Sequence, residues 1–273
     1  MRCAIYSIRG CGAGRRLSVI LRTSDRATLL TYVALFILTA AAWVAILRAP
    51  MGGDDMAGMQ MVMAPTARDA VAYVVAWAVM MAAMMLPSAM PMIALYAAIQ
   101  RNAASAAART ASVAGFALIY LALWAATGVP IYFASLALMA VGPATLAYVT
   151  AGVLVTAGVF QLSPLKQICL RHCRSPLGFL MGHWRAGRRG GLALGLAHAC
   201  YCLGCCWALM VVLVVAGAMG LPWVLVIACV VAAEKLVWGG EWIARAAGVA
   251  LTLLGLATAL HPGLATALRT SWM

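Results

Sequence analysis

Four cysteines and a histidine fall within nine residues, His198-Ala199-Cys200-Tyr201-Cys202-Leu203-Gly204-Cys205-Cys206. They lie inside the apolar run 192–216, which is long enough to cross a bilayer. Polar and metal-ligating groups at such depth are costly and normally have partners or a function. On a helix turning about 100° per residue, with His198 as origin, Cys202 lies at about 40°, Cys205 at about −20° and Cys206 at about 80°. Cys200 points nearly the opposite way. One face therefore offers three sulfurs and an imidazole over about two turns. A straight helix cannot close one metal sphere with all four, so a second element must contribute.

The apolar stretch 70–98 supplies the first candidate, Met80-Met81-Ala82-Ala83-Met84-Met85-Leu86-Pro87-Ser88-Ala89-Met90-Pro91-Met92. Met81, Met84, Met85, Ser88 and Met92 share one stripe at helical spacing. Pro87 and Pro91 each remove a backbone donor, and broken helices at membrane depth tend to line sites. Methionine is also a common gap-filler, so the stripe gains weight only beside the cysteines. A second sulfur set, Cys169 and Cys173, sits in the basic segment Lys166 to Arg189. Four residues apart, the two share a face of a short helix. Flanking Lys166, Arg171 and Arg174 are expected to lower their pKa toward the thiolate that binds metal. A third set, Met56, Met59 and Met61 beside Asp54 and Asp55, follows the first apolar run and could capture a soft ion. Cys200 and Glu234 are secondary candidates. Glu234 is expected to reach Arg174 or His198 inside the bundle, and Lys235 to extend to the membrane surface.

Thiolate and thioether together select Cu(I) over hard cations; zinc, which takes Cys and His, is the alternative. The bland reading is that cysteine is a small apolar residue acceptable in any membrane helix. That reading suffices for one cysteine and strains for four in seven residues.

The elements that must position these side chains follow from composition. Of 273 residues, 66% are hydrophobic and 9% charged, against about 45–50% and about 25% in soluble domains. The runs are continuous rather than alternating, which excludes a membrane β-barrel and points to an all-α, polytopic helical bundle. About seven transmembrane helices are expected, over residues 27–47, 70–98, 111–132, 144–162, 191–216, 223–237 and 244–260. Residues 1–26, with six arginines, read as a disordered cytoplasmic leader, 27–262 as one transmembrane domain and 263–273 as a short tail. Basic residues gather in the segments on one side of the expected membrane, which puts the N-terminus in the cytoplasm and the Met56–Met61 loop outside. The net charge of +13 is explained by topology and headgroup anchoring, without nucleic acid.

Taken together, Met81-x-x-Met84-Met85-Leu86-Pro87-Ser88-x-Met90-Pro91-Met92, Gln161-Leu162-Ser163-Pro164-Leu165-Lys166 with Cys169, Cys173 and Arg174-Ser175-Pro176, Gly195 through Met210, and Glu234-Lys235 resemble a known bacterial family. It is the predicted metal-binding integral membrane proteins, a domain family of unknown function, some of whose members are described as copper chaperones. The resemblance covers roughly residues 71–260. It implies metal binding and a multi-pass location in the bacterial inner membrane, and supplies no mechanism. Where the family has a proline soon after Glu-Lys, this chain has Val237-Trp238-Gly239-Gly240.

Three functions compete. The first is Cu(I) handling: capture by the outer methionines, a Cys/His/Met site in mid-membrane, and hand-off near Cys169 and Cys173 to a metal-carrier protein of the periplasm or cytoplasm. No phosphate-binding loop accompanies it. The second is a thiol–disulfide or quinone oxidoreductase using the C-x-x-C pair Cys202 and Cys205. A copper-dependent oxidase is a variant with few histidines to support it. The third is a non-catalytic assembly subunit. Enzymatic activity is the less favoured class.

Overall fold

Away from water, a backbone must satisfy its own donors and acceptors, and long Ala-, Leu- and Val-rich runs do so as helices. The computed structural model describes residues 26–48, 66–100, 105–184, 188–216 and 220–270. Its helices in chain order are α1 (Arg26–Arg48), α2 (Ala67–Ile99), α3 (Ala106–Ala126), α4 (Gly128–Met139), α5 (Pro143–Leu162), α6 (Pro164–Arg174), α7 (Pro176–His183), α8 (Arg188–Val215), α9 (Leu221–Leu236), α10 (Gly240–Leu260) and α11 (Gly263–Thr270). The described residues contain no strand, in line with the all-α expectation.

Six helical stretches are long and apolar enough to cross a membrane: Leu29–Arg48, Ala67–Ile99, Ala106–Met139, Pro143–Leu162, Arg189–Val215 and Gly240–Leu260. The third joins α3 and α4 across Thr127, where Pro130 withholds the donor that residue 126 would use. The remaining expected segment, 223–237, is α9. Its 16 residues give a rise of only about 24 Å, short of the usual span. Met56, Met59 and Met61, and most of the basic leader, lie outside the described residues.

Helix α2 is set by a capping box: Asp69 N–H donates to Thr66 Oγ1 at 3.3 Å and Thr66 N–H to Asp69 Oδ2 at 2.9 Å. It then continues through Pro87 and Pro91 as one helix of 33 residues. Side-chain donors gather on the Met85 carbonyl, two residues before Pro87. Ser88 Oγ donates to the Met85 carbonyl at 2.9 Å and Tyr120 OH reaches the same oxygen at 3.4 Å.

Close helix approach depends on small residues. Helices α5 and α10 meet at Gly158, where an added Cβ would lie 2.6 Å from the Gly248 carbonyl and 2.7 Å from the Thr252 nitrogen. Helices α3 and α8 meet at Gly191 and Gly195, whose added Cβ atoms would lie 2.5 Å and 2.6 Å from the carbonyls of Ser112 and Phe116.

The basic segment after α5 folds into α6 and α7, in line with the short helix expected for Cys169 and Cys173. Ser163 caps α6, accepting from Lys166 N–H at 3.2 Å, and prolines occupy the first turns of α6 and α7. Lys166, Leu170 and Cys173 are buried at helical spacing along α6, so the segment is an amphipathic helix docked on the bundle. Physically, one stripe of apolar and pairing side chains outweighs the net positive charge.

Gly158→Ala should push α5 and α10 apart and cost about 1–3 kcal/mol. Gly152→Ala, on the same helix with nothing within 4 Å of its added Cβ, should cost nothing. Thermal unfolding of the two variants in detergent compares them directly.

Candidate metal centre

The cysteine face of α8 is turned inward as its angular spacing requires. His198, Cys202, Cys205 and Cys206 are buried and Cys200 is exposed. Cys205 Sγ lies 3.3 Å from Cys206 Sγ and donates to the Cys202 carbonyl at 3.1 Å. From α6, Cys173 Sγ comes within 3.9 Å of Cys205 Sγ. Cys169 rests against the same helix one turn away, its sulfur 2.9 Å from where a Cβ on Gly204 would stand. Glycine at 204 is what lets α6 approach.

His198 is held by rings rather than by hydrogen bonds. Tyr120 stacks on it at 5.7 Å between centroids, and Phe116 and Phe179 flank it at 5.9 Å and 5.5 Å. Its Nδ1 is buried without a hydrogen-bond partner. A buried polar atom without a partner usually marks a missing ligand, ion or water.

Two side chains that the sequence reading did not place here complete the centre. Lys235 donates from Nζ to Cys202 Sγ at 3.0 Å and to Ser88 Oγ at 3.3 Å, with Met85 Sδ at 4.0 Å. Tyr120 OH lies 3.1 Å from Cys202 Sγ. Met81, Met84 and Met85 are buried in the same core as the cysteines. Met85 and Cys202 share the ammonium of Lys235, and Tyr120 OH reaches both the Met85 carbonyl and Cys202 Sγ.

Lys235 therefore turns inward instead of extending to a surface. Its neighbour Glu234 also departs from expectation, since its partner is neither Arg174 nor His198. The carboxylate receives Lys166 Nζ at 2.6 Å and Gln161 Nε2 at 2.7 Å, and Lys166 Nζ also contacts Gln161 Oε1. Arg174 instead donates to the Val237 carbonyl at 3.0 Å. All three members of the Lys166–Glu234–Gln161 group are buried. Adjacent residues on a helix diverge by about 100°, so Glu234 faces α5 and α6 while Lys235 faces α2 and α8.

The expected lowering of the Cys169 pKa is not found. Burial pushes this thiol up instead. Of the expected sources of positive charge, Lys166 is paired with Glu234 and Arg171 with Glu241.

Among the described residues no three His, Cys, Asp or Glu side chains form a finished metal site. The four sulfurs cluster, with Cys202 neighbouring Cys173, Cys205 and Cys206. A linear ion between two thiolates needs them about 4.6 Å apart, taking a metal–sulfur bond of about 2.3 Å. Cys173 and Cys205, on different helices, are near that separation. Cys205 and Cys206 are closer than it allows.

Fold and site together define an all-helical bundle of membrane type with a buried thiol, imidazole and ammonium centre. Residues 74–258 match the family described as PpoB2, copper chaperone. The chain belongs to that family, which supports a general role in handling copper. No curated protein and no solved structure matches the chain.

Removing one partner of a buried ion pair leaves the other charge uncompensated, at about 3–5 kcal/mol. Glu234→Gln should therefore lower stability by that order in a detergent unfolding assay. Adding Lys166→Met should restore most of the loss, because it removes the stranded ammonium.

Proposed function

We propose that the protein binds Cu(I) as cargo between α6 and α8 and passes it to a carrier. Cys173 and Cys205 are the primary pair, Cys202, Cys206 and His198 are the neighbouring donors, and Met81, Met84 and Met85 line the wall. The approach of two sulfurs on separate helices to 3.9 Å, in a chain of a copper-chaperone family, carries this reading. The donors fit a soft monovalent ion, since all the sulfurs are buried and the imidazole keeps an unpartnered nitrogen. Zinc accepts the same Cys and His and is the competitor to exclude. Cys169 extends the set toward the outer face of α6, and Met56, Met59 and Met61 are the proposed capture residues. Glu234 acts through Lys166 and the placing of α6.

The chain sits, on this reading, in the bacterial inner membrane. Counting the short α9 as a crossing gives seven passes, with the N-terminus in the cytoplasm and the basic residues of α6 and α8 on that side. The thiol oxidoreductase alternative needs Cys202 and Cys205 as a pair. Cys205, however, has Cys173 and Cys206 as sulfur neighbours besides Cys202, so the pair does not stand apart from the other thiols.

Metal analysis of anaerobically purified protein tests the proposal. Wild type should carry about one copper per chain, Cys173→Ser and Cys205→Ser should lose it, and Cys200→Ala should keep it. Metal-free wild type with an oxidised Cys202–Cys205 bond would sink the reading in favour of the oxidoreductase.

A further inference from the structure

The turn between α9 and α10 carries two large aromatic side chains with little protein around them. Trp238 is 97% exposed and Trp242 is 71% exposed. Arg245 lies over the Trp242 ring at 4.9 Å. Around them, Arg171, itself 69% exposed, pairs with Glu241 at 3.4 Å, and Arg174 binds the Val237 carbonyl. Gly239 takes the left-handed conformation at φ 80, and Gly240 lies against the Glu234 carbonyl with no room for a Cβ. The turn is thereby fixed to the end of α9 that carries Glu234 and Lys235.

Helix lengths give the height of this turn. Along α10, Glu241 to His261 is roughly 20 residues, about 30 Å. Along α2, Arg68 to Ser88, which meets Lys235, is also roughly 20 residues and about 30 Å. Helix α5, with 20 residues, ends at Leu162 beside the same Gln161–Lys166–Glu234 group. That distance equals the hydrocarbon thickness of a bilayer, about 30 Å. Helices α2 and α8 continue past the turn. From Met85 to Tyr96, and from Cys202 to Gly191 beside it, each runs on by about 11 residues, or about 17 Å. The hydrocarbon layer cannot cover both parts, which along α2, from Arg68 to Tyr96, total about 42 Å. If it covered the extension, Arg171, Glu241 and Arg245 would stand in lipid tails, at a cost of several kcal/mol. Tryptophan and arginine are the residues expected at a headgroup boundary.

We propose that the boundary of the membrane passes through the α9–α10 turn. Trp238, Trp242, Arg171, Arg174 and Arg245 bind among phospholipid headgroups there, and the thiol cluster lies level with that boundary instead of at the bilayer midplane. The inference rests on the membrane reading above and revises the depth expected from the length of the apolar run alone. Helices α6 and α7, with the extensions of α2, α3 and α8, then form a cover standing beyond the hydrocarbon. Cargo held at Cys173 and Cys205 is handed off through that cover, on the face that carries α6 and α7.

The test uses the full chain in phosphatidylcholine vesicles brominated at acyl carbons 6,7 or 11,12. The fluorescence lost in W238F/W242F, taken as the difference from wild type, reports the turn alone. It should be quenched at least about twofold more by the shallow bromines than by the deep ones. Equal or stronger quenching by the deep bromines places the cluster in the bilayer interior and overturns the proposal. Quenching of other tryptophans with none from this pair also overturns it, since the turn then stands clear of lipid. If none of the nine tryptophans is quenched, it is the membrane reading that fails.

Discussion

The ion pair of Lys166 and Glu234 holds the centre together. Two full charges with almost no solvent contact are tolerated only because Gln161 supplies the remaining hydrogen bonds. The pair ties α6 to α9, and Gln161 ties both to α5. Two consequences follow from this one contact. Helix α6 is fixed so that Cys173 faces Cys205, and α9 is rotated so that Lys235 faces Cys202. The positive charge beside the thiols and the extra sulfur opposite them thus share one origin, a carboxylate that touches neither.

Lys235 gives the centre its electrostatic character. An ammonium among thiols, a tyrosine hydroxyl and a thioether is the counter-charge for whatever negative charge the sulfurs carry. Replacing a cation by a cation keeps the local charge constant, whereas adding one to an already neutral group would not. A buried cluster of this kind is polar yet satisfied, apart from the His198 nitrogen, and the rings of Tyr120, Phe116 and Phe179 pack around that imidazole.

Much of this was legible in the sequence where the signal is local. The inward face of His198, Cys202, Cys205 and Cys206 follows from 100° steps along one helix, as does the outward Cys200. The all-helical class follows from continuous apolar runs. What was not legible depends on contacts between distant segments. Lys166 looked like one basic residue in a cationic loop, because nothing near it in the chain announces a carboxylate. Lys235 looked like a boundary lysine, because a lysine at a helix end ordinarily reaches water. Tyr120 sits in an apolar stretch with no neighbour to mark it.

The wide separation along the chain of the two charged partners has a temporal side. Lys166 and Glu234 are 68 positions apart, and synthesis at about 5–20 residues per second leaves the lysine without its carboxylate for about 3–14 s. During that interval α6 carries an unpaired ammonium and cannot settle among apolar helices. Cys173 is kept from Cys205 until α9 has emerged. The order of synthesis therefore holds the sulfurs apart until nearly the whole bundle exists, so a half-made chain has no closed thiol centre to trap a metal ion or to oxidise.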